Sequence, residues 1–128
     1  GLMQTKEYVM HLLAEISNYV LERHPNRIVV SLHQESDGLH LSVLDDINRT
    51  DGEIDTMMHD LNTSVRPELA EYYGFMAGSD LIGAARLNLI GWQVKHADVT
   101  RTAEGTKIDL WLGSDRFDRK RFNMPRKE

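Results

Sequence analysis

Two pairs of short segments with alternating apolar and polar residues constrain the fold of this chain more than any other feature. Alternation with a period of two is typical of half-buried β-strands, and a glycine-containing turn between two such segments predicts a β-hairpin. The first pair covers residues 27–34 and 39–45, and the second covers residues 97–102 and 106–112. We therefore expect two antiparallel hairpins, one in each half of the chain.

Helical patterns precede and separate these hairpins. Residues 5–23 carry a single apolar stripe at helical spacing. His24-Pro25 is expected to end this helix, because a residue before proline is disfavoured in the helical conformation. Three further helices are expected, from Asp51-Gly52 to about Leu61, from Pro67 to about Met76, and from a cap at Ser79 or Asp80 to about Lys95.

The order of these elements predicts the fold class. A helix, two strands, several helices and two strands indicate an α/β two-layer sandwich, in which one mixed sheet of four to five strands is covered by helices on one face. The length of 128 residues fits one domain, which we place at residues 1–112. Residues 113–128 are strongly charged and are expected to form a peripheral tail.

Composition excludes several classes of function. The formal charge of −5 argues against binding to nucleic-acid backbones. No segment approaches the roughly 18 apolar residues of a membrane span, and the N-terminus lacks the pattern of a signal peptide. The absence of cysteine removes disulfides, thiol catalysis and cysteine-bound zinc, and suits a reducing compartment. We expect a cytoplasmic protein.

Four motifs occur in an order that resembles a known family. They are Glu15-Ile16-Ser17-Asn18 on the first helix, Asp45-Asp46 at the end of a strand, Gly78 and Gly83 at the start of a later helix, and Gly105-Thr106 in the final hairpin. Over residues 8–112 this order resembles the ATPase domain shared by histidine kinases, gyrase and the anti-sigma-factor serine kinases, the GHKL superfamily. The outline is most similar to the anti-sigma-factor type.

The resemblance implies a nucleotide site. It makes Asn18 a ligand of Mg²⁺ and Asp45 the acceptor of the adenine amino group. It places Gly78 and Gly83 over the phosphates, and it makes Gly105 and Thr106 the closing wall of the pocket. The implied cofactors are ATP and Mg²⁺.

The chain departs from the family where chemistry would occur. Ala14 stands at the position of the general base, and Glu15 is a weak candidate because one residue along a helix turns a side chain by about 100°. Ile47 and Arg49 stand where the family has glycines that approach the nucleotide. We therefore expect a regulatory or protein-binding domain with degenerate motifs, without efficient ATP hydrolysis and without a required cofactor.

Two alternatives stay open. One is an active serine kinase acting on an anti-sigma antagonist, with Glu15 recruited as the base. The other is a sensor that binds a different small ligand in the remodelled pocket. Each motif residue also has a plain structural explanation, as a helix surface residue, a turn residue or a cap. The six histidines do not have the spacing of a metal site.

Apolar residues outside the main stripe of the first helix suggest a partner. Met10 and Leu21 lie away from the stripe, and such residues can mark a contact face. The expected partner is a second copy of the chain or a regulatory protein. The basic residues between Arg116 and Arg126 would suit an acidic partner, although a solvated tail is the favoured explanation.

Overall fold

A computed structural model of the chain describes residues 2–36, 38–62 and 79–113. The α/β class is confirmed, and each predicted strand is found within one residue of its expected limits. The helix predicted from Pro67 to Met76, Gly78, and the tail beyond Gly113 lie outside the described residues. The described elements are α1 Leu2–Leu21, β1 Ile28–Glu35, β2 Gly38–Asp45, α2 Asp51–Asn62, α3 Ser79–Gln93, β3 His96–Arg101 and β4 Thr106–Gly113.

The four described strands form one sheet in the order β1-β2-β4-β3. Every neighbouring pair among them is antiparallel, so the prediction of a mixed sheet is wrong for the part of the chain that the structure describes. The reason is the position of β4. Strands β2 and β3 run in the same direction, as a helical connection allows, but β4 lies between them and is antiparallel to both.

The described helices pack on one face of this sheet. Side chains from α1, α2 and α3 share one core with residues that alternate along the strands, and all of these strand residues lie on the same side of the sheet. This arrangement is compatible with a two-layer α/β sandwich. No helix in the described ranges is long and apolar enough to cross a membrane. The largest core residues on the helices are Leu12, Ile16, Val20, Leu61, Leu87 and Ile90.

Local chemistry sets the helix limits. Helix α1 ends at Leu21, two residues before the predicted end, and His24 then adopts a positive φ of 53°. This left-handed residue turns the chain towards Pro25, which cannot continue a helix. Helix α2 begins with a capping box: the N–H of Glu53 donates to Thr50 Oγ1, and the N–H of Thr50 donates to the Glu53 carboxylate.

Candidate functional site

Three of the residues singled out in the sequence meet at one end of the sheet. Asp45 is the last residue of β2, and the strand register places it opposite Thr106, the first residue of β4. Gly105 precedes Thr106 in the turn between β3 and β4. The end of β2, with its neighbours from β4 and the following loop, is therefore the candidate functional site.

At this site the carboxylate of Asp45 forms an ion pair with Arg49. Nη1 of Arg49 donates to both carboxylate oxygens of Asp45, at 3.1 Å to Oδ1 and 2.9 Å to Oδ2. The N–H of Ile47 also donates to Oδ1, at 3.0 Å. Both side chains of the pair are 1% exposed. Arg49, which stands where the family has a glycine, thus covers the carboxylate that the resemblance assigns to adenine.

The loop that carries Arg49 is fixed from several directions. Nη2 of Arg101 donates to the carbonyl of Arg49 at 2.8 Å and also contacts the carboxylate of Asp51 at 2.7 Å. Tyr19 of α1 lies near the guanidinium: burial raises the pKa of Tyr19 above its ordinary 10.0, and the positive charge of Arg49 opposes that rise. Nη2 of Arg49 is buried and makes no hydrogen bond to a described residue.

Gly105 and Thr106 hold the same loop in place. A Cβ at Gly105 would collide with the backbone of Asp45 and Asp46, so glycine is required there by close approach of two chain segments. Thr106 is buried, and its Oγ1 donates to the carbonyl of Ile47 at 2.9 Å. Both residues therefore stabilise the path of the chain after β2.

The two candidates on α1, Asn18 and Glu15, have no described contact with the Asp45 carboxylate. Asn18 is exposed on α1 and Glu15 is half-buried, whereas the α1 residue near Arg49 is Tyr19. Gly83 of α3 lies against Tyr19, where a Cβ would sit 3.8 Å from the ring, an ordinary contact that another small side chain could make. Gly78 lies outside the described residues.

The Asp45 carboxylate, as the structure places it, does not fit the adenine role that the resemblance implies. Asp45 has both oxygens engaged by Arg49 and Ile47. A nucleotide would have to displace a buried guanidinium to reach it, at the cost of an unpaired buried charge. Nucleotide contact by Asp45, Asn18, Gly83, Gly105 and Thr106 stays a prediction, and no step of chemistry follows from their geometry.

The histidines form no metal site among the described residues. His33 and His40 face each other across the β1–β2 hairpin with ring centroids 6.1 Å apart. Nε2 of His40 lies 2.8 Å from Oδ1 of Asp109, and an imidazole used in this way is a structural partner. No group of three or more metal-binding side chains occurs in the described ranges.

Comparison of the sequence with protein-family models and with curated proteins finds no match. A functional assignment therefore has to rest on the geometry of the site.

Sequence reasoning missed the role of Arg49. The sequence shows Arg49 only as a departure from a glycine of the family, whereas in the structure it pairs with Asp45. The available signal was the spacing of four residues between an aspartate that ends a strand and an arginine in the following loop. That spacing alone does not show whether the two side chains turn towards each other.

Proposed function

We propose that this chain is a regulatory or protein-binding domain related to the histidine-kinase-like ATPases, with a nucleotide pocket that has been converted into a structural ion pair. It would act without efficient ATP hydrolysis or kinase activity. A chain without cysteine suits a reducing compartment, and we place this role in the cytoplasm.

The buried Arg49–Asp45 pair carries the proposal. Its guanidinium uses both carboxylate oxygens, and the side chains of the pair are 1% exposed. Because both oxygens of this carboxylate already accept hydrogen bonds within the chain, it is a poor acceptor for the adenine amino group. The absence of a glutamate or aspartate at Ala14 adds to this, since general-base assistance is worth about 10²–10⁴-fold in rate.

The active serine kinase is the rival function. It would use Glu15 as the base, Asn18 on Mg²⁺ and Asp45 on adenine, and it would require Arg49 to leave its buried position when ATP binds. The proposed function predicts that this does not happen.

A small-ligand sensor is the second rival. One observation favours it: the end of the sheet borders a shallow depression of about 120 Å³ on the side away from the helices. This volume would hold only a small ligand. The depression is lined by Arg27, Val29, Leu44, Asp45, Asp46, Thr102 and Glu104.

Thermal unfolding with and without ATP and Mg²⁺ tests the proposal. A ligand that binds only the native state raises the free energy of unfolding by RT ln(1 + [L]/Kd), about 2.7 kcal/mol at one hundred times Kd. We expect no rise with millimolar ATP, and no phosphoprotein when the chain is incubated with labelled ATP and cell extract. A screen of metabolites by the same method tests the sensor.

Matched variants make a positive result interpretable. Asn18→Ala removes the implied Mg²⁺ ligand from an exposed position, so it is expected to fold normally, and Glu7→Gln is a control on the exposed surface of the same helix. An ATP-dependent shift that is lost in Asn18→Ala and kept in Glu7→Gln would show a working nucleotide site, and a phosphoprotein with the same pattern would establish the kinase. Either result would overturn the proposed function.

A further inference from the structure

The edge strand β1 presents apolar side chains that the helices do not cover. Ile28, Val30 and Leu32 lie on the same face of the sheet as the core, but only Ile28 packs against the core. Val30 is 39% exposed and Leu32 is 46% exposed. Among the described residues, β1 pairs with β2 alone, so its other edge has unpaired backbone groups.

Helix α1 also carries exposed apolar side chains. Its flank near α3 carries Tyr19, next to Gly83, and Glu22, which pairs with Arg86. Met10 and Leu21 lie about 180° and about 160° around the helix from Tyr19, on the flank away from α3. They are 58% and 50% exposed. Because α2 packs against β3 and α1 packs beside α3, this flank lies towards the β1 side of the molecule.

Within the described ranges, the β1 edge lacks the devices that normally prevent strands from pairing. Soluble proteins protect an edge with proline, lysine or a β-bulge. The sequence of β1, Ile-Val-Val-Ser-Leu-His-Gln-Glu, contains no proline and no lysine. Its register with β2 is continuous over all eight residues from Ile28↔Asp45 to Glu35↔Gly38, so no bulge turns the edge away.

From these features we infer that β1 pairs antiparallel with β1 of a second copy of this chain, which joins the two sheets into one. This interface rests on the proposed protein-binding role and names its partner. An antiparallel strand edge is self-complementary about a twofold axis, as a symmetric dimer requires.

Hydrogen-bond geometry limits the possible registers. Glu35 and Gly38 flank a two-residue turn and exchange hydrogen bonds within the hairpin. Since the bonding direction alternates along a strand, Val30 and Leu32 direct their N–H and C=O groups to the open edge, together with the other even-numbered residues. Bonded pairs between copies must therefore join even-numbered residues.

Side-chain chemistry selects one of these registers. With the twofold axis at Ser31, Val30 faces Leu32 of the second copy twice on the apolar face. Arg27 then faces Glu35 of the second copy twice, so opposite charges flank the apolar centre. With the axis at Leu32, Val30 would face Gln34, and with the axis at either Leu32 or Val30 the Arg27–Glu35 pairing would be lost. The proposed axis is at Ser31.

Cysteine cross-linking tests this register directly, because the chain has no native cysteine. The two copies of Ser31 would form a non-hydrogen-bonded pair with Cα atoms about 4.5 Å apart, within the range for a disulfide. Ser31→Cys is expected to give a covalent dimer on mild oxidation. Val29→Cys is the matched control on the same face, since its two copies would be about 13 Å apart along the strands.

Light scattering after size exclusion tests the dimer itself. The expected mass is twice 14.7 kDa. Leu32→Lys is expected to raise the dimer dissociation constant by at least about a hundredfold. The contact made by Leu32 occurs twice in a symmetric dimer, so it is lost twice, and each tenfold change in the constant corresponds to only about 1.4 kcal/mol. Trp92→Lys, at an apolar position of α3 that is 52% exposed, is expected to leave the dimer unchanged. Circular dichroism checks that both variants fold.

Three results would overturn the inference: a monomer at high protein concentration, a dimer that Trp92→Lys disrupts and Leu32→Lys does not, or cross-linking through Leu32→Cys in place of Ser31→Cys. These results are separate from the test of the proposed function. A monomer that does not bind ATP would refute the dimer alone, whereas a β1-paired dimer that binds ATP would refute the proposed function alone.

Discussion

The end of β2 and the edge at β1 lie side by side in the sheet, but the side chains of one are buried and paired while those of the other are exposed to solvent. At the end of β2, the charged groups of Asp45 and Arg49 are buried and paired with each other. At the edge, the apolar side chains of Val30 and Leu32 remain in contact with solvent. The carboxylate that the resemblance assigns to a ligand is paired within the chain, whereas the apolar side chains of β1, a strand without any motif, are exposed.

This difference separates stability from interaction. A buried charged pair with internal partners offers little to a ligand, but losing one member leaves an unpaired charge in the core. An exposed apolar edge contributes little to the stability of one molecule, but it gains free energy when a partner covers it. We therefore expect substitutions at the end of β2 to change folding, and substitutions at the β1 edge to change association.

The largest expected effect is at the ion pair. Arg49→Met leaves the Asp45 carboxylate buried without its cation, and we expect the free energy of unfolding to fall by about 3–5 kcal/mol. Chemical denaturation followed by circular dichroism measures the loss. Arg23→Met is the control, because its pair with Glu53 has side chains 48% and 43% exposed and should be worth at most about 1 kcal/mol. Equal losses in the two variants would contradict the closed site.

A smaller effect is expected at Thr106, and it allows a direct comparison of the two regions. Thr106→Val removes the hydrogen bond to the carbonyl of Ile47 and should cost about 1–3 kcal/mol. At the β1 edge, Leu32→Thr replaces an apolar side chain by one with a hydroxyl group. It should change the stability of the dilute protein by no more than about 0.5 kcal/mol. Thr106→Ser, which keeps the hydroxyl, is expected to recover part of the loss. A larger cost at Leu32 than at Thr106 would reverse the comparison.

The smallest effect concerns pH. Burial raises the pKa of Asp60 above its ordinary 3.8, against the opposing charge of His59. The folded chain therefore binds this proton more tightly than the unfolded chain, so this group lowers stability as pH rises through 3.8 towards its raised folded value. Asp60→Asn should be more stable than the original chain near neutral pH, by no more than about 0.5 kcal/mol.

The advantage of Asp60→Asn should disappear below pH 3.8, where the carboxyl is protonated in both the folded and the unfolded chain. Denaturation curves at several pH values measure the difference between the two proteins. Asp55→Asn, at an exposed position of α2, controls for the loss of a charge. An advantage that persists in acid would show that the substitution acts through packing.

The sequence predicted the strands well because each strand carries its own local signal. The alternation over residues 28–35 and 106–113 predicts the extended conformation and shows which side chains share a face of the sheet. The neighbours of each strand were harder to predict, since the position of β4 between β2 and β3 depends on packing far along the chain. The local pattern was compatible with a mixed sheet, and the long-range order made it antiparallel.

The site was less predictable for a related reason. The family resemblance implied that Asp45, Gly105 and Thr106 would line one pocket, and the structure brings them together at the end of β2. The sequence did not show the direction of the Arg49 side chain, which depends on the path of the loop after β2. That path is set by the contact of Gly105 with the backbone of Asp45 and by the hydrogen bond of Thr106 to Ile47.

The pairing of β2 with β4 has a consequence for the kinetics of folding. The β1–β2 hairpin joins residues that are close in sequence and can form early, whereas β2–β4 pairing joins Asp45 to Thr106. Contacts between such distant residues form late, because the entropy of closing the intervening chain must be lost first. Until β4 arrives, the early hairpin has two open edges. The rate of that late step therefore sets how long a newly synthesised chain is exposed to aggregation.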